Sequence, residues 1–133
     1  MKDDIRVILA DNNVQDRESK KRLLNEQGIQ VVYETGDGKK ALENIKKLKP
    51  DVVVMDMILP GVDGLEILEE CRELTEYKPL FIIATALRRE GLIEQALAQG
   101  ANYYMMKPLS ATMLIKRIRQ IAASAGEGEE GQA

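Results

Sequence analysis

Asp11, Asn12, Asp56, Thr85 and Lys107 are far apart in the chain, yet each closes or directly follows a short apolar run. Taken singly they say little. An Asp after a strand is more often a cap or turn residue than a ligand, and a Thr there can cap the next helix. A Lys before a Pro, as in Lys107-Pro108, is commonly a solvated loop residue. Taken together they offer two carboxylates, an amide, a hydroxyl and an ammonium. Carboxylates and an amide carbonyl suit a hard, oxygen-seeking cation such as Mg²⁺, which keeps several waters and needs few protein ligands. The ammonium and hydroxyl suit a phosphoryl group beside that metal. The chemistry is coherent only if the fold brings all five to one place.

The elements that must do so alternate along the chain. Strand candidates are Ile5–Ala10, Gln30–Glu34, Asp51–Asp56, Leu80–Thr85 and Tyr103–Met106. Val52-Val53-Val54-Met55 and Leu80-Phe81-Ile82-Ile83 are unbroken apolar runs, as expected of central strands covered on both faces. Between the strands, apolar residues recur at helical spacing: Ala41, Leu42, Ile45 and Leu48; Leu65, Leu68 and Cys71; Leu92, Ile93, Ala96 and Leu97; Leu114, Ile118, Ile121 and Ala122. The first helix, about residues 15–27, has the thinnest apolar stripe, mainly Leu23 and Leu24, beside a basic group of Arg17, Lys20, Lys21 and Arg22. Gly28 and Gly100 stand where helix ends need a left-handed residue. Lys49-Pro50 closes the second helix, and Thr35-Gly36-Asp37-Gly38 reads as a turn. Five βα units in a row predict an α/β fold, a doubly wound five-stranded parallel sheet of flavodoxin-like (βα)5 type. In such a sheet ligands collect at the carboxyl ends of the strands, near the point where strand order reverses.

Composition narrows the function classes. The 133 residues contain no His, which excludes Ser-His-Asp triads, Cys-His nucleophiles and His-ligated zinc. Cys71 is the one Cys, so no intramolecular disulfide forms, and the predicted setting is the cytoplasm. No apolar stretch approaches the roughly 20 residues needed to span a bilayer, and the opening Met1-Lys2-Asp3-Asp4 does not read as a signal peptide. The formal net charge of −3 comes from the last ten residues, SAGEGEEGQA; the rest of the chain carries 19 basic and 19 acidic side chains. A neutral body argues against direct nucleic-acid binding. Residues 1–123 are therefore expected to form one folded domain, and residues 124–133 a disordered tail or the start of an interdomain linker.

With these residues in view, the sequence resembles the receiver domain of two-component response regulators over about residues 5–123. The resemblance is carried by Ala10-Asp11-Asn12, by Asp56 through Pro60 to Asp63-Gly64, by Thr85-Ala86, and by Tyr104-Met105-Met106-Lys107-Pro108. The text around Gly100-Ala101-Asn102-Tyr103 and Ile118-Arg119-Gln120 is similar to the sporulation-initiation regulator group. The resemblance implies that Asp56 is the phospho-acceptor, attacking a phosphohistidine carried by a histidine kinase or histidine phosphotransfer protein. With no His in this chain, the donor must be supplied by that partner. Asp11 would hold Mg²⁺, with Asn12, Asp56 and the backbone carbonyl of Ile58 completing the protein ligands. Lys107 and Thr85 would bind the phosphoryl oxygens, and Tyr104 would swing inward as Thr85 moves. The fourth helix and fifth strand would then change conformation to control an output, transcription through a further C-terminal domain, with homodimer formation on phosphorylation as one route. Such a domain is a switch and not an enzyme beyond its own phosphorylation and dephosphorylation.

Asn12 departs from the pattern, because receivers usually carry a second carboxylate there. An uncharged amide leaves two formal negative charges in the pocket where the family has three, so weaker Mg²⁺ binding is expected. The alternative this raises is a pseudo-receiver or interaction domain that works without phosphate. Ile58 and Leu87, two residues beyond Asp56 and Thr85, are apolar and cannot orient a hydrolytic water, which predicts slow self-dephosphorylation. Asp63 is expected to cap the third helix and Gly64 to supply unusual backbone dihedrals. Lys116, Arg117 and Arg119 read either as a solvated face or as partners for acids such as Glu90 and Glu94 of a second subunit. A haloacid-type phosphotransferase would need an acid at Ile58, and a nucleotide-binding module would need a glycine-rich loop where Asp11-Asn12-Asn13-Val14-Gln15 stands.

Overall fold

The apolar runs form five strands, β1 (Arg6–Ala10), β2 (Gln30–Thr35), β3 (Val52–Asp56), β4 (Leu80–Thr85) and β5 (Tyr103–Met106), in a computed structural model that describes residues 4–86 and 89–132, with side chains described as far as Ser124. All neighbouring pairs are parallel, in the order β2-β1-β3-β4-β5. This is the predicted flavodoxin-like strand order of a doubly wound five-stranded parallel sheet.

Strand alternation decides which side chains enter which half of the core. Ile8, Ala10, Val53, Met55, Phe81 and Ile83 face one side, where they meet α2 (Gly38–Leu48), α3 (Gly64–Arg72) and α4 (Glu90–Ala98) through Ala41, Ile45, Ile67, Leu68, Cys71 and Ala96. Val7, Leu9, Val52, Val54 and Ile82 face the other side, against Leu24 of α1 (Val14–Glu26) and Leu114 and Ile118 of α5 (Ala111–Gln132). β3 is buried at every residue because sheet neighbours flank it and helices cover both faces. The thin stripe of α1 is real: Leu24 is its one buried residue, and burying such a side chain is worth roughly 1.5–3 kcal/mol.

Helix ends follow their local chemistry. Asn13, Asp37 and Asp63 each accept a hydrogen bond from a backbone N–H in the first turn of α1, α2 and α3. Lys49 ends α2 in the left-handed conformation, and Pro50 bars further helix. Gly28 and Gly100 have φ of 81° and 112°, as expected past α1 and α4.

One expectation is corrected. Gly64 does not have positive φ; a Cβ there would lie 3.0 Å from Met57 Cα and O, so it is close backbone approach that excludes a side chain. Beyond Ser124, α5 runs on to Gln132. No Pro interrupts it, and its Ala, Glu and Gln favour helix against the cost of Gly126, Gly128 and Gly131.

Candidate functional site

Strand order reverses between β1 and β3, so the loops leaving these two strands diverge and open a crevice at their carboxyl ends. Asp11 follows β1 at this point and Asp56 ends β3. Thr85 ends the adjacent β4, and Lys107 follows β5. Backbone hydrogen bonds hold the rim: Asp11 N–H donates to Thr35 O at 2.9 Å, and Lys107 N–H donates to Thr85 O at 2.8 Å.

Lys107 reaches back across the crevice. Its Nζ lies 2.9 Å from Asp56 Oδ2 and 2.9 Å from Asp11 Oδ2, with Asp11 Oδ1 at 3.0 Å. The two carboxylates therefore converge on one point from two strands. Burial works against the Lys107 charge, but hydrogen bonds to Asp56 and Asp11, and their charges, more than offset it and raise the Lys107 pKa above its ordinary value. The backbone also orients both carboxylates: Asn13 N–H donates to Asp11 Oδ1 at 2.9 Å, and Ile58 N–H to Asp56 Oδ1 at 3.3 Å. Thr85 is buried beside them.

Asp11, Asp56, Thr85 and Lys107 are thus brought to one crevice. Asn12 stands exposed at its rim. Ile58 is also at the rim, 55% exposed, an apolar side chain facing water. Leu87 lies outside the described residues. Tyr104 is not in the crevice: it is 38% exposed and stacks on Tyr103, with ring centroids 6.5 Å apart. Both tyrosines line a groove of about 630 Å³ with Leu97, Met106, Met113 and Arg117. Arg117 and Arg119 have partners within the chain. The first covers the Tyr103 ring at 4.9 Å, and the second donates to Gln27 O at 2.8 Å.

Sequence reasoning missed Arg17, Glu34 and Gly36. Arg17 Nη1 donates to Asp11 O at 2.6 Å and Nε to Glu34 Oε1 at 3.3 Å. No spacing rule reveals this contact, because it depends on β2 lying beside β1.

The donor set fits a hexacoordinate Mg²⁺. Two converging carboxylates are the usual protein share for that ion, with waters completing its shell. Among the described residues no group of three or more His, Cys, Asp or Glu side chains is placed to hold a metal ion.

Comparison with known proteins bears on the family and the fold. The family model for the response regulator receiver domain matches residues 7–119. The chain is 34% identical to the transcriptional regulatory protein PdtaR of Mycobacterium tuberculosis over 129 residues, covering 92% of this chain and 62% of that protein. It is 38% identical to the transcriptional regulatory protein TrcR of the same organism, covering 86% of this chain and 44% of the relative. The chain thus spans less than two thirds of either. The signal receiver domain of response regulator NarL from Mycobacterium tuberculosis superposes with a TM-score of 0.85 at 31% identity, covering 92% of this chain and 98% of that one. The response regulator domain of Thermotoga maritima CheB does so with a TM-score of 0.80 at 30% identity, covering 90% and 97%. From the parallel sheet to the acid crevice at its switch point, this chain belongs to the response regulator receiver domain family.

Proposed function

We propose that this receiver accepts a phosphoryl group on Asp56 from a phosphohistidine of a histidine kinase or histidine phosphotransfer protein, and passes the change to α4 and β5. The observation that carries the reading is the convergence of Lys107 on Asp56 and Asp11. An Asp56 oxygen forms the new P–O bond as the P–N bond to the partner's imidazole breaks, and the imidazole keeps the electron pair. Lys107, held protonated in the crevice, is in place to neutralise phosphoryl oxygens as the bond order changes. Asp11, Asp56, the Ile58 carbonyl and the Asn12 amide would hold Mg²⁺, which when bound supplies further charge neutralisation to the phosphoryl group.

The attached group carries about −1.5 to −2 charge in place of the single charge of the Asp56 carboxylate, together with three acceptor oxygens. Thr85 and Lys107 satisfy them by moving their loops together, since Lys107 N–H is bonded to Thr85 O. Inward movement of Thr85 makes room for Tyr104 to leave the groove. The groove between α4, β5 and α5 then changes shape, and a second copy of the chain docks on it. The output is transcription control through a further domain, in the cytoplasm. No helix among the described residues is long and apolar enough to cross a membrane, and a formally neutral body leaves nucleic-acid contacts to that further domain. We place the receiver at residues 1–123, with 124–133 leading towards that domain.

Acetyl phosphate treatment, with and without Mg²⁺, followed by mass spectrometry of the intact chain and of Asp56→Asn, tests the reading. Mg²⁺-dependent acylphosphate at Asp56 is expected. Its absence at high donor concentration overturns the phospho-acceptor reading and leaves the pseudo-receiver, for which Asn12 is the supporting residue.

A further inference from the structure

Arg17 lies on α1, outside the four crevice residues, and its side chain is only 14% exposed. Nη1 is bonded to the carbonyl of Asp11 and Nε to Glu34 at the end of β2, while Lys21 Nζ approaches the second Glu34 oxygen at 3.4 Å. Asp11 is therefore held on both sides: its N–H by Thr35 O, its C=O by the guanidinium. Gly36 makes the arrangement possible. A Cβ at this position would lie 3.1 Å from Arg17 Nη1 and 3.4 Å from Asp11 O and Asn12 Cα. The turn after β2 closes over the Asp11–Asn12 peptide because nothing projects from it.

That peptide carries two of the expected metal donors. Fixing the plane of its carbonyl fixes the direction in which Asp11 and Asn12 leave the backbone. Charge alone would argue against an arginine here, since a guanidinium beside a cation site opposes the ion and Glu34 is shared with Lys21. Geometry supplies the compensating benefit. We infer that Arg17, seated over Gly36, is a positioning residue that sets the Mg²⁺ affinity of the Asp11–Asn12 loop. The inference rests on the Mg²⁺-binding phospho-acceptor reading above.

Two variants of the full chain separate geometry from charge. Arg17→Gln removes the bond and the charge; Gly36→Ala disturbs the bond and leaves every charge in place. The readout is Mg²⁺ titration followed by backbone amide shifts, with amide exchange in metal-free protein as a second measurement. Both variants are expected to weaken the Mg²⁺ dissociation constant on the order of 10-fold, and to speed exchange at the Asn12 and Asn13 amides. Acylphosphate formation should recover when Mg²⁺ is raised in proportion. Tighter Mg²⁺ binding in Arg17→Gln with no change in Gly36→Ala would show that Arg17 acts only as a charge and would overturn the proposal. Should Arg17→Gln fail to fold, Gly36→Ala decides alone, and unchanged affinity and exchange sink the idea. A wild-type chain without Mg²⁺-dependent shifts overturns the phospho-acceptor reading itself, and this role with it, whatever the variants do.

Discussion

Lys107 Nζ sits 2.9 Å from Asp56 Oδ2, although 51 residues separate the two in the chain. The same ammonium contacts Asp11, so it stands where two carboxylates would otherwise repel each other across a narrow crevice. Lys107→Met should therefore have opposite effects on two measurements. Phosphorylation of Asp56 by acetyl phosphate should fall by roughly 100-fold, as for loss of a donor to a developing anion. Mg²⁺ affinity, read by calorimetric titration, should rise because no ammonium competes for the carboxylates.

Asn12→Asp restores a third carboxylate at the rim. Mg²⁺ should bind more tightly, by on the order of 10-fold or more, since one unit charge about 4 Å from a divalent ion is worth about 2 kcal/mol even in a water-like dielectric. The gain should shrink as salt is raised from low to physiological ionic strength, since the rim is exposed. Equal affinity for both proteins would show that the Asn12 position does not face the ion.

Ile58 presents an apolar side chain to solvent beside Asp56. Ile58→Asn supplies a donor and acceptor able to orient water, and the Asp56 acylphosphate should then decay several-fold faster, followed by loss of radiolabel after donor removal. Stability should barely change, because replacing an exposed residue rarely costs more than about 0.5 kcal/mol.

Much of this architecture was legible from pattern alone. The unbroken runs at Val52–Met55 and Leu80–Ile83 do occupy interior strands, and Asp63 does cap α3, because burial and capping act over a few neighbouring residues. Gly64 shows where such reasoning stops. Its identity is visible, but the reason lies in Met57, which only the folded loop brings within 3.0 Å of a side chain at that site. Arg17 is the same case at longer range: basic residues on α1 read alike until β2 places Glu34 and Gly36 beside one of them. Tyr104 could be assigned to β5 but not to the outside of the crevice, since orientation depends on which helices cover each face.

Glycine substitutions at Gly38 and Gly91 should have opposite signs. A Cβ at Gly38 would fall 1.6 Å from the backbone oxygen of Val62, with neither side a flexible side chain, so Gly38→Ala should destabilise by about 1–3 kcal/mol or more. Gly91, in α4, has nothing within 4 Å of that position, and Gly91→Ala should stabilise by about 0.5–1 kcal/mol. Urea denaturation of the two variants beside the wild type measures both.

Alkaline pH should destabilise the fold through Cys71. Burial pushes its thiol up from 9.0 to about 11, so between these values the unfolded chain loses a proton that the folded chain keeps. Stability present below pH 9 is therefore lost as pH rises towards 11, by at most about 2–3 kcal/mol. Lys107, also raised, adds a loss of the same sign above its ordinary value of 10.5. Cys71→Ala should flatten the pH dependence of urea stability between about 9 and 10, below the range where Tyr77, whose hydroxyl is also raised by burial, and Lys107 contribute. In the native wild type, a thiol reagent should react with Cys71 only at the rate of unfolding.

The cross-ties of the rim also give the molecule a gradient of stiffness. On one flank of Asp56 the loops are laced together by Asp11 N–H to Thr35 O, Gly38 N–H to Pro60 O and Gly64 N–H to Met57 O. On the other, beyond the tie from Lys107 N–H to Thr85 O, α4 begins at Glu90 with no side-chain cap from Arg89 and buries only Ala96. If Asp56 is phosphorylated as proposed, the resulting strain is expected to be rectified: displacement should go towards α4, with the more heavily laced β1–β2 flank as the anvil against which it moves.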